Sequence, residues 1–190
     1  MGASVEADRV TLKEIIARKS FGRGKITLSS GRESDFYFDL KPSMLDPVGA
    51  SVIAKQILSE VVRVGGEFVG GLEMGAVPIT GAVCQYSAQN HTPVLGFFVR
   101  KKPKEHGAKK VIEGLPPHEN LKGRRVVIVE DVTTSGDSAL RAVQACEAEG
   151  AEVVLVVSIV DREEGATQAF ADRGISFKSL YRASEFLHAS

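Results

Sequence analysis

Two adjacent carboxylates, Glu130 and Asp131, stand before Val132 and a run of small residues, Thr133-Thr134-Ser135-Gly136, followed by Asp137 and Ser138. A turn of this kind at the start of a helix aims backbone N–H groups and the positive end of the helix dipole at one place, which suits a phosphate. Small hydroxyl side chains add donors without blocking close approach. The paired acids repel a phosphate, so they need another partner; a ribose diol or a Mg²⁺-bound water would serve. The plain alternative is a buried strand, a polar turn and a capped helix, as in any α/β fold.

Three further stretches could do chemistry. Residues Arg100 to Lys110 hold six of the 24 basic residues, together with His106. A solvated charged loop is the ordinary reading of such a run. Here, however, it begins directly after an apolar strand, where ligands bind in open α/β sheets. Pro103 and Gly107 also keep the charge from spreading over a helix face. A cationic loop at that place would neutralise charge developing on an anionic leaving group and exclude water. The glycines of Gly70-Gly71-Leu72-Glu73-Met74-Gly75 permit close backbone approach to an anion, a weak signal alone. Arg162, after another apolar run, could read a substrate carboxylate through its planar fork, or could simply pair at the surface with Glu163 or Glu164.

The elements that must position these groups follow from apolar spacing. Val126 to Val129 is a continuous apolar run, the pattern of a strand covered on both faces. Helical spacing follows from Asp137 to Glu149, with Ala139, Leu140, Val143 and Cys146 on one face. Other strands are expected at Phe68–Leu72, Val94–Val99, Val153–Val160 and Ile175–Leu180, and helices at Ala76–Gln89 and Glu163–Arg173. Asp46-Pro47 marks the start of a helix running to about Arg63. This alternation predicts a parallel sheet with helices on both faces and its site at the strand carboxyl ends. The first 45 residues do not alternate. Thr11 is expected to cap a short helix carrying Leu12, Ile15 and Ile16, and residues 21–40 to form a hairpin turning at Ser29-Ser30-Gly31-Arg32.

The whole chain narrows the functional class. Its 190 residues suffice for one domain with a full core. Basic and acidic residues balance at 24 each, so no global field favours nucleic acid or an acidic membrane. No apolar run approaches the roughly 20 residues of a membrane span, and no signal peptide is expected at the polar N-terminus. The two isolated cysteines, Cys84 and Cys146, argue against a zinc site or disulfide scaffold and for a reduced cytoplasm.

Apolar run, acidic pair and Thr-Thr-Ser-Gly resemble the phosphoribosyl-pyrophosphate signature of type I phosphoribosyltransferases. With the hairpin Leu28–Asp39, the basic loop Phe98–Gly107 and the turn Asp161-Arg162-Glu163-Glu164-Gly165 in this order, the chain resembles the orotate phosphoribosyltransferases from about Phe21 to Gly165. The resemblance implies an α/β, type I phosphoribosyltransferase-like fold in a single domain, 1–190. A parallel central sheet flanked by helices forms its core over 65–181, and a small N-terminal hood covers 1–45. It implies transfer of ribose 5-phosphate from phosphoribosyl pyrophosphate to N1 of orotate in pyrimidine biosynthesis. It also implies a homodimer sharing loop 100–110 across the interface, and Mg²⁺ carried by phosphoribosyl pyrophosphate rather than bound directly, with water contacts to Glu130 and Asp131.

By the same resemblance Arg100, Lys101, Lys104, His106 and the residues from Glu130 to Ser138 bind phosphoribosyl pyrophosphate. Lys101, Lys104, His106 and Asp131 carry catalysis. Thr134, Arg162, Tyr37 and Phe38 bind orotate. Ser29 and Met74-Gly75 stand where some family members carry lysine, and Lys41 is a candidate replacement for the first. Two alternatives stay open at this point: a purine-type phosphoribosyltransferase, whose neutral base would not need Arg162, and a ligand-sensing regulator that keeps the fold but binds nucleic acid.

Overall fold

The computed structural model describes residues 2–27, 33–102 and 111–187. Six strands form the main sheet in the order β5 (Ile112–Glu113), β4 (Leu95–Val99), β3 (Phe68–Leu72), β6 (Arg125–Thr133), β7 (Glu152–Asp161), β8 (Phe177–Arg182). All neighbours from β4 to β8 run parallel, and β5 closes one edge antiparallel to β4. A strand buried on both faces should be apolar throughout, and all five residues of β3 are buried.

Each face of the sheet has its own core. One gathers Ile53, Ile57 and Val61 of α3 (Pro47–Arg63) and Ile79 and Val83 of α4 (Ala76–Gln89) against Val127, Val129 and Val157. The other gathers Leu140, Val143 and Cys146 of α5 (Asp137–Ala148) and Phe170 of α6 (Ala166–Ala171) against Phe68, Val126 and Ile128. Asp46 caps α3 as its sequence suggests: its Oδ1 accepts from Val48 N at 3.0 Å and Gly49 N at 2.8 Å, and Pro47 takes the first turn. Cys84 and Cys146 are free thiols, and burial pushes the Cys146 thiol up to about 12.

The N-terminal segment differs from its expected form. α1 runs Gly2–Lys19, so Thr11 lies inside the helix instead of capping it. The extra turns carry no apolar stripe for the sequence to display; they are anchored by charge. Arg9 donates to Glu185 Oε2 at 2.6 Å, and Lys55 pairs with Asp8. β1 (Phe21–Thr27) and β2 (Glu33–Phe38) pair antiparallel as a separate two-stranded sheet, and the expected turn at 29–32 lies outside the described residues. Phe38 packs on Phe21 and Phe186, with ring centroids 5.1 and 5.3 Å apart, which ties the hairpin to α7 (Ser184–Leu187). A four-residue helix, α2 (Lys41–Met44), leads from the hairpin into α3.

The C-terminal elements also shift. The helix expected from Glu163 begins only at Ala166, because Glu163 and Gly165 take left-handed backbone at φ 62° and 111°. The last strand lies two residues later than its apolar pattern suggests, at Phe177–Arg182. Among the described residues, no helix is long and apolar enough to cross a membrane.

Candidate active site

The carboxyl ends of β3, β4, β6 and β7 bring the candidate residues together. β6 continues past its apolar run, so Glu130 and Asp131 lie inside the strand, Glu130 opposite Ser158 and Thr133 opposite Asp161. The strand can carry these polar residues because the ladder to β7 still satisfies its backbone. Glu130 is 6% exposed, and its Oε2 and the Thr133 Oγ1 are both buried without a hydrogen-bond partner. Burial, reinforced by the neighbouring Asp131 charge and their shared hydrogen bond, holds the Glu130 carboxyl well above the usual carboxylate range. Two orphaned buried polar atoms at the end of one strand are an arrangement that a ligand completes.

The turn after β6 forms the expected cradle. Glu130 and residues Val132 to Ala139 line one pocket at the N-terminus of α5. Gly136 takes left-handed backbone at φ 89°, which starts the helix so that Leu140 N donates to Gly136 O at 2.9 Å. The Ser135 hydroxyl donates to Asp137 Oδ2 at 2.8 Å. Opposite this turn, the β3–α4 loop approaches so closely that a Cβ on Gly75 would sit 2.3 Å from Asp131 Oδ1. Of the glycines read as a weak second anion loop, Gly75 therefore presses against Asp131, whereas Gly70 and Gly71 pack against Phe97 and Val129.

The base of the basic loop is fixed to the same place. Arg100 N donates to Val111 O at 2.8 Å, and Lys101 N to Glu73 Oε1 at 2.9 Å, joining the loop to the β3–α4 turn. The Arg100 guanidinium pairs with Glu113 at 3.2 Å and Lys101 is exposed. Lys104 and His106 lie outside the described residues. Lys41, at the start of α2, pairs with Asp39 at 2.6 Å. That hydrogen bond first, and the Asp39 and Asp131 charges after it, raise its ammonium above the ordinary lysine value.

Arg162 is not the surface residue of the plain reading. Its side chain is 3% exposed, and its N donates to Thr133 O at 2.9 Å, directly beside the phosphate-type turn. It does pair with Glu164, Nε to Oε1 at 2.7 Å, but in a buried setting. The rest of the guanidinium reaches across to β2, donating to Ser34 Oγ at 3.0 Å and Phe36 O at 3.4 Å, with the Phe36 ring 4.4 Å beneath it.

Strand alternation decides which hairpin residues meet Arg162. Ser34, Phe36 and Phe38 are the half-buried set of β2. Tyr37 falls on the other face, 41% exposed, its ring lying over Gly22. The structure therefore places Arg162 against Thr133, next to Thr134 in the chain, puts Phe38 in an aromatic cluster with Phe21, Phe36 and Phe186, and turns Tyr37 to the other face of β2. Ser34 and Phe36 are the contacts that sequence reasoning missed; the alternation in Glu33–Phe38 was the available signal. Among the described residues, no group of three or more His, Cys, Asp or Glu side chains could hold a metal ion. Glu130 and Asp131 are the adjacent carboxylates that a cation here could approach, with water and substrate oxygens as its other ligands.

Comparison with known proteins places this geometry. The phosphoribosyl transferase domain family matches residues 49–174. The chain is 59% identical over 185 residues to an orotate phosphoribosyltransferase of Rhodopseudomonas palustris strain BisB5, covering 97% of this chain and 99% of that protein. It is 60% identical over 186 residues to the orotate phosphoribosyltransferase of Bradyrhizobium diazoefficiens, covering 98% and 100%. Among solved structures, it resembles the Mycobacterium tuberculosis H37Rv orotate phosphoribosyltransferase in complex with phosphoribosyl pyrophosphate, with TM-score 0.77 and 35% identity over 94% of this chain and 98% of that one. An adenine phosphoribosyltransferase from Leishmania donovani, at 19% identity and TM-score 0.68, shares the fold alone.

Proposed function

The chain belongs to the orotate phosphoribosyltransferases, and from that premise we propose how its own residues divide the work. The reaction forms a bond between C1 of phosphoribosyl pyrophosphate and N1 of orotate, breaks the bond from C1 to the pyrophosphate oxygen, and serves pyrimidine biosynthesis. Orotate arrives as an anion, so positioning and charge stabilisation carry most of the catalysis.

Residues Thr133 to Ser138 hold the 5-phosphate through backbone N–H groups, hydroxyls and the α5 dipole. Glu130 and Asp131 accept from the ribose hydroxyls. The observation that carries this assignment is the pair of buried, unpartnered atoms Glu130 Oε2 and Thr133 Oγ1, which a ribose phosphate would satisfy. Glu130 and Asp131 are the residues that would hold, through water, a Mg²⁺ brought with the substrate's pyrophosphate, and the ion would supply charge neutralisation at the leaving group.

Arg100, Lys101, Lys104 and His106 bind the pyrophosphate. Arg100 also pairs with Glu113 at 3.2 Å through one guanidinium nitrogen, an ion pair at the base of the loop. Loop 100–110 closes on the neighbour's site in a homodimer, as the family resemblance implies. The segment 1–45 acts as the hood over the strand ends, a reading supported by the contacts of Arg162 with Ser34 and Phe36. Arg162 and Thr134 read the orotate carboxylate, and Phe38 backs that pocket. The enzyme works in the cytoplasm, where its two free thiols remain reduced.

The test is loss of the orotate ultraviolet band in the presence of phosphoribosyl pyrophosphate and Mg²⁺. Turnover of orotate but not of adenine or hypoxanthine is expected. Purine turnover without orotate turnover would overturn the assignment.

A further inference from the structure

Asp161 ends β7 opposite Thr133, and at 4% exposed it is an acid buried behind the site. One carboxylate oxygen accepts from Glu163 N at 2.9 Å, and the other from the Thr167 hydroxyl at 3.4 Å. The first of these bonds closes a turn around Arg162 and holds Glu163 at φ 62°. Among the described residues, only Glu163 and His91 take positive φ without being glycine. Such backbone is disfavoured for a side chain of this type and persists where its surroundings impose it. From the far side, Glu163 Oε2 accepts from Ser184 N at 2.9 Å, so the bend is clamped at both ends.

The bend stands directly behind the phosphate-type turn. Arg162 N donates to Thr133 O at 2.9 Å, and Ala166 N to Thr134 O at 3.2 Å. A Cβ on Gly136 would sit 3.1 Å from the Phe170 ring and 3.6 Å from Ala166 Cβ, so α6 packs against the same turn. The pocket in front is lined by Glu130 and residues Val132 to Ala139, with none from 161–170. The peptides from Thr133 to Ser135 are trans, and a trans peptide points its C=O and N–H in opposite directions. Drawing the Thr133 and Thr134 carbonyls back onto the bend therefore turns the N–H groups of Thr134 and Ser135 forward, toward the pocket.

We propose that Asp161 is a positioning residue for phosphoribosyl pyrophosphate. Its carboxylate imposes the left-handed bend at Glu163, the bend holds the carbonyls of Thr133 and Thr134, and two backbone N–H groups are thereby aimed at the 5-phosphate before it arrives. This rests on the reading of Thr133 to Ser138 as the cradle of that phosphate. Donors fixed beforehand need no ordering when the ligand binds.

Isothermal titration of phosphoribosyl pyrophosphate with Mg²⁺ into the full chain tests it, with Tm read beside each Kd. Asp161→Ala should raise Kd at least about tenfold, the effect of one hydrogen bond to a charged group. Asp161→Asn keeps an acceptor for Glu163 N and should stay within about threefold of wild type. Glycine adopts left-handed backbone unaided, so adding Glu163→Gly to Asp161→Ala should restore Kd to within about threefold of wild type. Position 163 is exposed, so it repeats the test without a buried change and decides it if Asp161→Ala does not fold. Glu163→Gly and Glu163→Val both lose the Ser184 contact, but valine resists this backbone far more, so Glu163→Val should bind about tenfold more weakly than Glu163→Gly.

An unchanged Kd in both Asp161→Ala and Glu163→Val, with or without a lowered Tm, would show that the bend serves the fold alone and would overturn the proposal. Asp161→Asn as weak as Asp161→Ala, with no rescue by Glu163→Gly, would assign the effect to charge and also overturn it. Thr133→Val tests the underlying reading separately. It removes the orphaned hydroxyl and should weaken binding; an unchanged Kd there would overturn the cradle itself.

Discussion

Replacing Glu130 with Gln should stabilise the ligand-free protein while weakening its hold on phosphoribosyl pyrophosphate. The side chain is 6% exposed, its Oε2 has no partner, and burial beside Asp131 raises its pKa. An acid whose folded pKa exceeds its unfolded value keeps a proton that the unfolded chain has already released. Stability therefore falls as pH rises from the unfolded value of about 4.3 through the folded value, and is level above it. Gln carries no such charge and keeps nearly the same shape.

The difference between variant and wild type should thus be small near pH 4 and open toward neutral pH. An uncompensated buried polar group costs about 1–3 kcal/mol. For a chain of this size each kcal/mol moves Tm by about 2–4 °C, so a gain of roughly 2–12 °C is expected at neutral pH. Thermal melts from about pH 4.5 to about pH 8.5 would follow it, across the range where an elevated carboxyl titrates. Titration with phosphoribosyl pyrophosphate would show the opposite sign, since the amide is a poorer acceptor for a ribose hydroxyl. A Tm difference that does not vary with pH, or a variant less stable than wild type at neutral pH, would refute the reasoning.

Other substitutions test the neighbouring assignments. Asp131→Asn should raise the phosphoribosyl pyrophosphate KM with little change in Tm; unchanged kinetics would remove Asp131 from the site. Gly75→Ala places a Cβ 2.3 Å from Asp131 Oδ1, so it should displace that carboxylate and weaken the same substrate. Its cost in stability should be about 1–3 kcal/mol, the usual range for overpacking, read from denaturant melts. Lys104→Ala and His106→Ala should each lower kcat by roughly 3 kcal/mol of barrier, as for a lost charge-stabilising donor. Their Tm should move little, and a collapsed Tm with near wild-type kcat would make the loop structural.

Much of this architecture is legible because it follows from local pattern. Phe68–Leu72 and Val126–Val129 are apolar without interruption, and only strands buried on both faces need that. Asp46-Pro47 starts a helix by chemistry contained in four consecutive residues. The order of acidic pair, small turn and helix likewise needs no distant partner. The failures have distant causes. The first turns of α1 are held by Glu185 and Lys55, far along the chain. β5 is two residues long and is defined by its pairing with β4, not by its own composition. The delayed start of α6 comes from left-handed backbone at Glu163, a residue type that seldom adopts it.

The same division holds within the site. Arg162 and Glu164 are near neighbours, and their pairing could be read from sequence as one of two choices. The contact from Arg162 to Ser34 spans 128 positions. Only the seating of the hairpin against the β7 end reveals it. Tyr37 shares the hairpin motif with Phe38, but the two-residue alternation of β2 turns it outward.

The central claim is that Arg162, at the edge of a ribose-phosphate cradle, selects a carboxylated pyrimidine. Isothermal titration of orotate, uracil and phosphoribosyl pyrophosphate into wild type and Arg162→Ala tests it most directly. Wild type should bind orotate and reject uracil, because uracil leaves buried donors unpaired. Arg162→Ala should lose orotate affinity sharply, narrow the preference over uracil, and keep its affinity for phosphoribosyl pyrophosphate. Equal orotate affinity in the two proteins would contradict the account.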